Sequence, residues 1–511
     1  MKRSFLIILL SLLVGNHTAF CQAQSPISLE DESMNVYALD SSNIPKITGH
    51  LLNYSAISLD SLVIRGSVVI LQNPSQKQSE AEIYPDGTFV LPLTSPLPHQ
   101  QVWFSVGEFY FGLLLVKDSL HIIVDIAKLT FDSIEFLGEG VRFEGPDAEI
   151  TSLSNRFIEF EREKQKDLYT RTNAIQPTMK SEKVPDSLIA ELRSIFEEFV
   201  VLEKAFFTNN PSEFEWLSEN ERLSELYGKL CHMHWGKQIP RDLKEEILSH
   251  KPIAVSNSST NYYHYLSTWA SIQPNSLKKR NLEEMLTELS TMPKRKADIL
   301  KRFILPRDNF KIEAYIDTML PTVESPWVED FFQSFKSEKV KEAQGIQGKL
   351  DLGNDSTFVA NLGKHVLTLN PQTSFYYSTQ TSFEEILTTL QEKYPGKALV
   401  FDLWTTWCRP CLTDMKNSTE VKKELKRHPV EIIYLCLDVN SSKEDWTRRM
   451  AELEIIGDHI FVEEALSKAI MDEFEVPGFP TYLFFNTKGE YVPNVINFMS
   501  RLDVEELKKE F

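Results

Sequence analysis

The chain has 511 residues, 42% hydrophobic and 25% charged, which excludes a disordered protein and is too long for one ordinary core. A formal net charge of −19 excludes the basic surface that phosphate backbones reward, so no nucleic-acid partner is expected. Five cysteines spread over this length exclude a disulfide scaffold.

In chain order, Lys2 and Arg3 precede an apolar run over 5–14 interrupted only by Ser11, and a small-and-polar stretch follows through Thr18, Ala19 and Cys21. This pattern predicts a signal peptide over 1–21, cleaved after Cys21 or Ala23, because the run is roughly half the length a spanning helix needs. A lipid on Cys21 and a retained anchor are the competing outcomes. Phe20 disfavours the first, since lipidation sites usually place a small residue there. An exported, periplasmic protein follows, soluble or membrane-associated.

The fold class expected is multidomain: an N-terminal all-β domain, a helical middle region and a C-terminal α/β domain. Residues 25–147 carry short apolar or alternating runs at 61–71, 81–84, 88–93, 102–106, 111–116 and 121–126, with Asp86-Gly87 as a hairpin turn. A Greek-key sandwich is expected, a barrel being the alternative. Residues 148–344 shift to helical spacing, as in Leu188, Leu192, Ile195, Phe196 and Phe199, with Pro211, Pro240, Pro274, Pro293 and Pro321 between segments. Residues 345–370, opening on a stretch rich in Gly, Asn, Asp and Ser, read as a linker. Over 371–511 a buried strand at 398–403, a helix after Cys408, a strand at 431–438, helices from Lys443 and near Ala465, a hairpin of 481–485 with 490–492 and a last helix from Asp503 predict a sheet flanked by helices.

The chemistry concentrates in Phe401-Asp402-Leu403-Trp404-Thr405-Thr406-Trp407-Cys408-Arg409-Pro410-Cys411, where a buried strand feeds a helix N-terminus. There the unpaired N–H groups and the positive end of the helix dipole stabilise a thiolate, which makes Cys408 the nucleophile. Cys411, one turn on, faces the same way and is the resolving thiol. Pro410 suits a first helical turn, and Arg409 adds positive charge near the sulfurs. A zinc site would need two more ligands at matched spacing; no second C-x-x-C or H-x3-5-H is present, so no metal is expected. Cys436, in an apolar run, is read as a small buried hydrophobe.

Three elements, the strand and motif 401–411, the segment Val476-Pro477-Gly478-Phe479-Pro480-Thr481, and the strand-helix order between them, resemble the thioredoxin superfamily, specifically its exported TlpA/ResA-type thiol-disulfide oxidoreductases, over roughly 383–511. The resemblance implies a thioredoxin fold and a cis bond at Pro480 beside the disulfide, with the Phe479 backbone facing a substrate peptide. It implies that Asp402 is the buried acid that takes the proton of the resolving thiol; its usual lysine companion has no match within 432–438. Trp407 is expected over the thiols, and Trp407, Arg409, Pro410 and Phe479 against substrate. Asp414 stands where relatives often carry a glutamate near the sulfurs; it reads as a second acid or as a solvated helix charge. The implied activity is reduction of protein disulfides, with no cofactor beyond the Cys408–Cys411 disulfide and with electrons from a membrane thiol carrier. The front half would dock a partner or form a homodimer. A thiol peroxidase, suggested by Thr405 three residues before Cys408, and a non-enzymatic redox-sensing or binding protein are the alternatives.

Overall fold

The computed structural model describes residues 44–53, 62–70, 76–94, 99–107, 110–129, 140–175, 183–276, 278–306, 309–352, 362–370 and 372–511. The expected signal peptide lies outside them. The chain divides into two compact units, the first extending to Lys336 and the second running Ser337–Phe511.

The first unit opens with strands β1 (Lys46–Leu52), β2 (Ile64–Val69), β3 (Gln76–Glu80), β4 (Glu82–Ile83), β5 (Thr88–Leu91), β6 (Gln100–Val106), β7 (Tyr110–Val116), β8 (Ser119–Asp125) and β9 (Val141–Glu144). They form two sheets, β4-β5-β1-β8-β9 and β3-β2-β6-β7. Ile47, Phe89 and Ile122 of one sheet share a core with Ile64, Phe104 and Leu114 of the other, so the expected sandwich is present. It is not purely antiparallel: β1 lies parallel to β8, with Ile47, Gly49 and Leu51 opposite Leu120, Ile122 and Val124, so the inward positions coincide. The Asp86-Gly87 turn joins β4 to β5; Gly87 takes φ 83°, and Asp86 Oδ1 accepts bonds from Thr88 N at 3.0 Å and Thr88 Oγ1 at 2.6 Å. Strand β3, of sequence QKQSE, was invisible to hydrophobic patterning because it is a mostly exposed edge strand.

Helices follow: α1 (Ala148–Ala174), α2 (Asp186–Asn209), α3 (Glu215–Met233), α4 (Arg241–Ser249), α5 (Asn257–Ala270), α6 (Leu282–Ser290), α7 (Lys294–Phe303), α8 (Asn309–Met319) and α9 (Pro326–Leu352). The apolar stripe of α2 packs with Leu226 and Leu230 of α3 and Tyr262, Tyr263 and Leu266 of α5 in one core. The sandwich and the helices, read from sequence as separate parts, belong to one unit up to Lys336. The reason lies at β7, an edge strand whose backbone is satisfied by side chains of α1. Asn155 Oδ1 accepts from Leu113 N at 2.9 Å while its Nδ2 donates to Leu113 O at 2.6 Å, and Thr151 Oγ1 does the same for Leu115 at 3.2 and 3.0 Å. Asp147 Oδ2 continues the row, accepting from Lys117 N and Asp118 N. Without these contacts the edge would present unpaired backbone groups.

The expected linker over 345–370 needs correction at both ends. Helix α9 continues to Leu352 and strand β10 (Lys364–Asn370) begins soon after; the residues between, 353–361, lie outside the described set. Gly345 and Gly348 made this stretch look irregular, yet they sit where a Cβ would meet nothing within 4 Å. Buried Ala343 and Ile346, with Leu350 packed against the core of the second unit, give α9 one continuous apolar face.

The second unit contains β10, β11 (Thr373–Tyr377), α10 (Phe383–Lys393), β12 (Ala398–Trp404), α11 (Arg409–Asn417), α12 (Thr419–Leu425), β13 (Val430–Leu437), α13 (Lys443–Leu453), β14 (Gly457–Val462), α14 (Glu464–Glu473), β15 (Thr481–Phe485), β16 (Tyr491–Val492) and α15 (Val504–Leu507). One seven-stranded sheet has the order β10-β11-β14-β13-β12-β15-β16. Strands β11, β14, β13 and β12 run parallel, and β10, β15 and β16 are antiparallel to their neighbours. Central β12 is buried along its whole length, with Leu399, Phe401 and Leu403 on one face and Val400 and Trp404 on the other. Among the described residues, no helix is long and apolar enough to cross a membrane.

Candidate active site

Strand β12 ends at Trp404 and α11 begins at Arg409, so the motif forms the turn between them. Cys408 is the N-cap of α11, and its sulfur accepts a hydrogen bond from Cys411 N at 3.1 Å. Cys408 and Cys411 are joined as a disulfide with Cα atoms 5.4 Å apart. On reduction the same N–H and the helix dipole favour a Cys408 thiolate. Cys411 is 0% exposed and Cys408 2%, while their chain neighbours Trp407, Arg409 and Pro410 are all exposed.

Trp407, 54% exposed, is tethered: its Nε1 donates to Val439 O at 2.6 Å and its ring meets Phe479 edge-on at 6.2 Å. The Phe479–Pro480 bond is cis. The turn is held from beneath by Thr406 N donating to Ser441 Oγ at 3.1 Å. Val439 and Ser441, beyond the end of β13, had no motif signal in the sequence.

Asp402 lies in the middle of β12, 1% exposed, on the face it shares with Val400 and Trp404; Cys411 and Met415 of α11 belong to the same core. Register sets Tyr434 of β13 on one side of it and Tyr482 of β15 on the other. Burial pushes its carboxyl up to about 7; Lys422 opposes that rise and the negative charge of Asp414 adds to it. An acid so placed can exchange a proton near neutral pH.

Asp414 is not the solvated helix charge that was one reading of it. It is 3% exposed, and its oxygens accept bonds from Tyr482 Oη at 2.5 Å, Met499 N at 2.8 Å, Ser500 N at 3.0 Å and Ser500 Oγ. Burial alone would raise its pKa, but these bonds together hold it below the ordinary value, so it stays an anion that ties α11 to β15 and the segment after it. The donors at Met499 and Ser500 are remote in sequence, which hid this role.

No lysine lies within 432–438, but the charge of one on a helix acts on Asp402. Lys422 on α12 reaches under the sheet with Nζ 3.3 Å from Met415 O and 5.1 Å from the centre of the Tyr434 ring. Burial lowers its ammonium, while Asp402 and then Asp414 act to raise it. The available signal was its spacing of one turn before buried Leu425, which puts it on the inward face of α12. Cys436 is free and fully buried, as is Cys231 in the first unit. No cluster of three or more His, Cys, Asp or Glu with metal-binding geometry occurs among the described residues.

Residues 396–491 match a family model described as thioredoxin-like. Among curated proteins, the thiol-disulfide oxidoreductase ResA of Halalkalibacterium halodurans is 28% identical over 112 residues, 22% of this chain and 60% of that protein. ResA of Geobacillus kaustophilus is 26% identical over 112 residues, covering 22% and 62% respectively. The chain therefore spans under two thirds of the length of these relatives. Among solved structures, the thioredoxin domain of a thiol-disulfide oxidoreductase from Bacteroides vulgatus aligns with 24% of this chain and 84% of its own at 18% identity and a TM-score of 0.21.

Proposed function

Because the chain carries a TlpA/ResA-like thioredoxin domain, we propose that it is a thiol-disulfide oxidoreductase that reduces protein disulfides through Cys408 and Cys411. The Cys408 thiolate attacks one sulfur of a substrate disulfide, forming a mixed disulfide and releasing the other substrate sulfur as a thiolate. Cys411 then loses its proton, with Asp402 as acceptor, and attacks Cys408 Sγ; the Cys408–Cys411 disulfide forms and the second substrate thiol leaves. Two electrons pass from protein to substrate, and a thiol donor, here assigned to a membrane carrier, restores the dithiol. The disulfide is the only redox group in this scheme.

The observation that most supports the reading is Cys408 at a helix N-cap, with Cys411 one turn behind it and an acid of raised pKa on the adjoining strand. Trp407, Arg409, Pro410 and Phe479 would form the rim that meets the substrate backbone. The N-terminal sequence supports export to a periplasm-like compartment, and the first unit would serve as a docking or dimerisation body. The test is insulin reduction by the full chain with dithiothreitol as donor, beside Cys408→Ser and Cys411→Ser variants. Both variants should lose turnover, and only Cys411→Ser should accumulate a mixed disulfide with substrate. Turnover that survives Cys408→Ser would sink the proposal.

A further inference from the structure

A cavity of about 360 Å³ lies within the first unit, where β6 and β7 meet α1, α2 and α3. On β6 it is lined by Gln101 and Trp103, the side chains that point away from the sandwich core formed by Val102 and Phe104. Its volume falls at the lower end of the range typical of small-molecule sites, about 300–1,000 Å³. The redox site plays no part in it.

The lining pairs aromatic walls with carboxylates. Trp103, Phe157, Tyr169 and Phe199 supply rings, and Glu161, Glu203, Glu221 and Glu225 supply acids. One guanidinium lines the same space, Arg222, and its Nε donates to Glu203 at 2.9 Å. Glu221 accepts from Ser256 Oγ at 2.8 Å and the 5% exposed Glu161 from Gln165 Nε2 at 2.7 Å, both uncharged donors. Glu225 has no hydrogen bond or ion pair among the described residues; Lys229, one turn on, has its Nζ bonded to Asn173 Oδ1 at 2.7 Å. Three carboxylates thus line an aromatic cavity with no cation in ion-pair contact among the described residues, Lys229 acting on Glu225 only at longer range.

Burying carboxylates without cations is unfavourable, and it shows in their titration: burial pushes Glu161 up to about 8 and Glu221 up to about 7. A ligand that offsets this must carry positive charge. The rings add a preference, because aromatic faces attract cations and an apolar body would cover them. An anion would be repelled, and a neutral apolar ligand would leave the acids uncompensated.

We propose that this cavity binds an organic ammonium ion, with Glu161, Glu221 and Glu225 around the charge and Trp103, Phe157 and Phe199 against the apolar body. Since Glu161 holds a proton at neutral pH, seating a cation beside it expels that proton to the buffer.

The experiment is titration calorimetry of the full chain near neutral pH with phenethylammonium and tetraethylammonium, set against phenethyl alcohol and 3-phenylpropionate as neutral and anionic matches. At least one ammonium ion should bind about tenfold or more tightly than both matches, with an enthalpy that varies with the ionisation enthalpy of the buffer. Glu225→Gln and Glu161→Gln should each weaken it about tenfold while melting no lower than the parent, and Glu161→Gln should reduce the buffer dependence to the part that Glu221 contributes. The proposal is overturned if neither ammonium saturates the protein, if the alcohol binds equally well, or if both folded glutamine variants bind as the parent does.

Discussion

Replacing Asp402 by Asn removes the one ionisable group at the centre of β12, and the effect can be worked out. A carboxyl raised from 3.8 to about 7 stays protonated in the folded chain where the unfolded chain has already lost its proton. Below the unfolded value both states hold the proton and nothing is lost; as pH rises from about 4 towards 7, folding stability falls, and the loss is complete above the folded value. Three pH units at about 1.4 kcal/mol each give about 4 kcal/mol in full, of which about 1 is present at pH 4.5, leaving about 3 to appear between pH 4.5 and 7. Glu161 and Glu221 titrate in a similar range in the first unit, so the readout must be local. Hydrogen exchange of the peptide covering β12, compared between parent and Asp402→Asn at each pH, cancels the intrinsic rate. Protection in the variant relative to the parent should grow about 100-fold from pH 4.5 to 7. A ratio that does not change with pH would refute the assignment of that titration to Asp402.

Lys422→Met takes away the cation that opposes protonation of Asp402, so the pH–rate profile for resolution of the mixed disulfide should move up by about one unit or more, measured by stopped-flow fluorescence. Asn155→Ala leaves the N–H and C=O of Leu113 unsatisfied and should destabilise the first unit by about 2–4 kcal/mol in urea unfolding. Trp407→Ala frees the rim above a Cys408 that is 2% exposed; reaction of the disulfide with dithiothreitol should quicken several-fold while insulin turnover slows.

The redox motif was legible because its chemistry is local: a buried strand, an N-cap cysteine and a partner one turn on can all be read in eleven consecutive residues. Asp402 could be placed in that strand from the sequence, but its role came only from the family resemblance. Lys422 and the donors to Asp414 were not, because a charge acting across the sheet and backbone groups at Met499 and Ser500 leave no pattern near the residues they serve. Strand β14 escaped as well: Gly457, Asp458 and His459 break its apolar run, though the sheet buries it between β11 and β13, with His459 stacked on Phe375 at 4.9 Å. Composition misread the last turns of α9 as a linker because two glycines on an open face cost a helix only about 1 kcal/mol each, which packing of the other face offsets.

The row of Asp147, Thr151 and Asn155 along β7 makes a helix stand in for a missing neighbour strand. Cutting the chain between sandwich and helix would turn that strand into an adhesive rim, ready to recruit another copy edge to edge. Any transplant of the front half onto a different redox module must therefore keep the sandwich and the helices together up to Lys336, and not cut at the change of composition near residue 148.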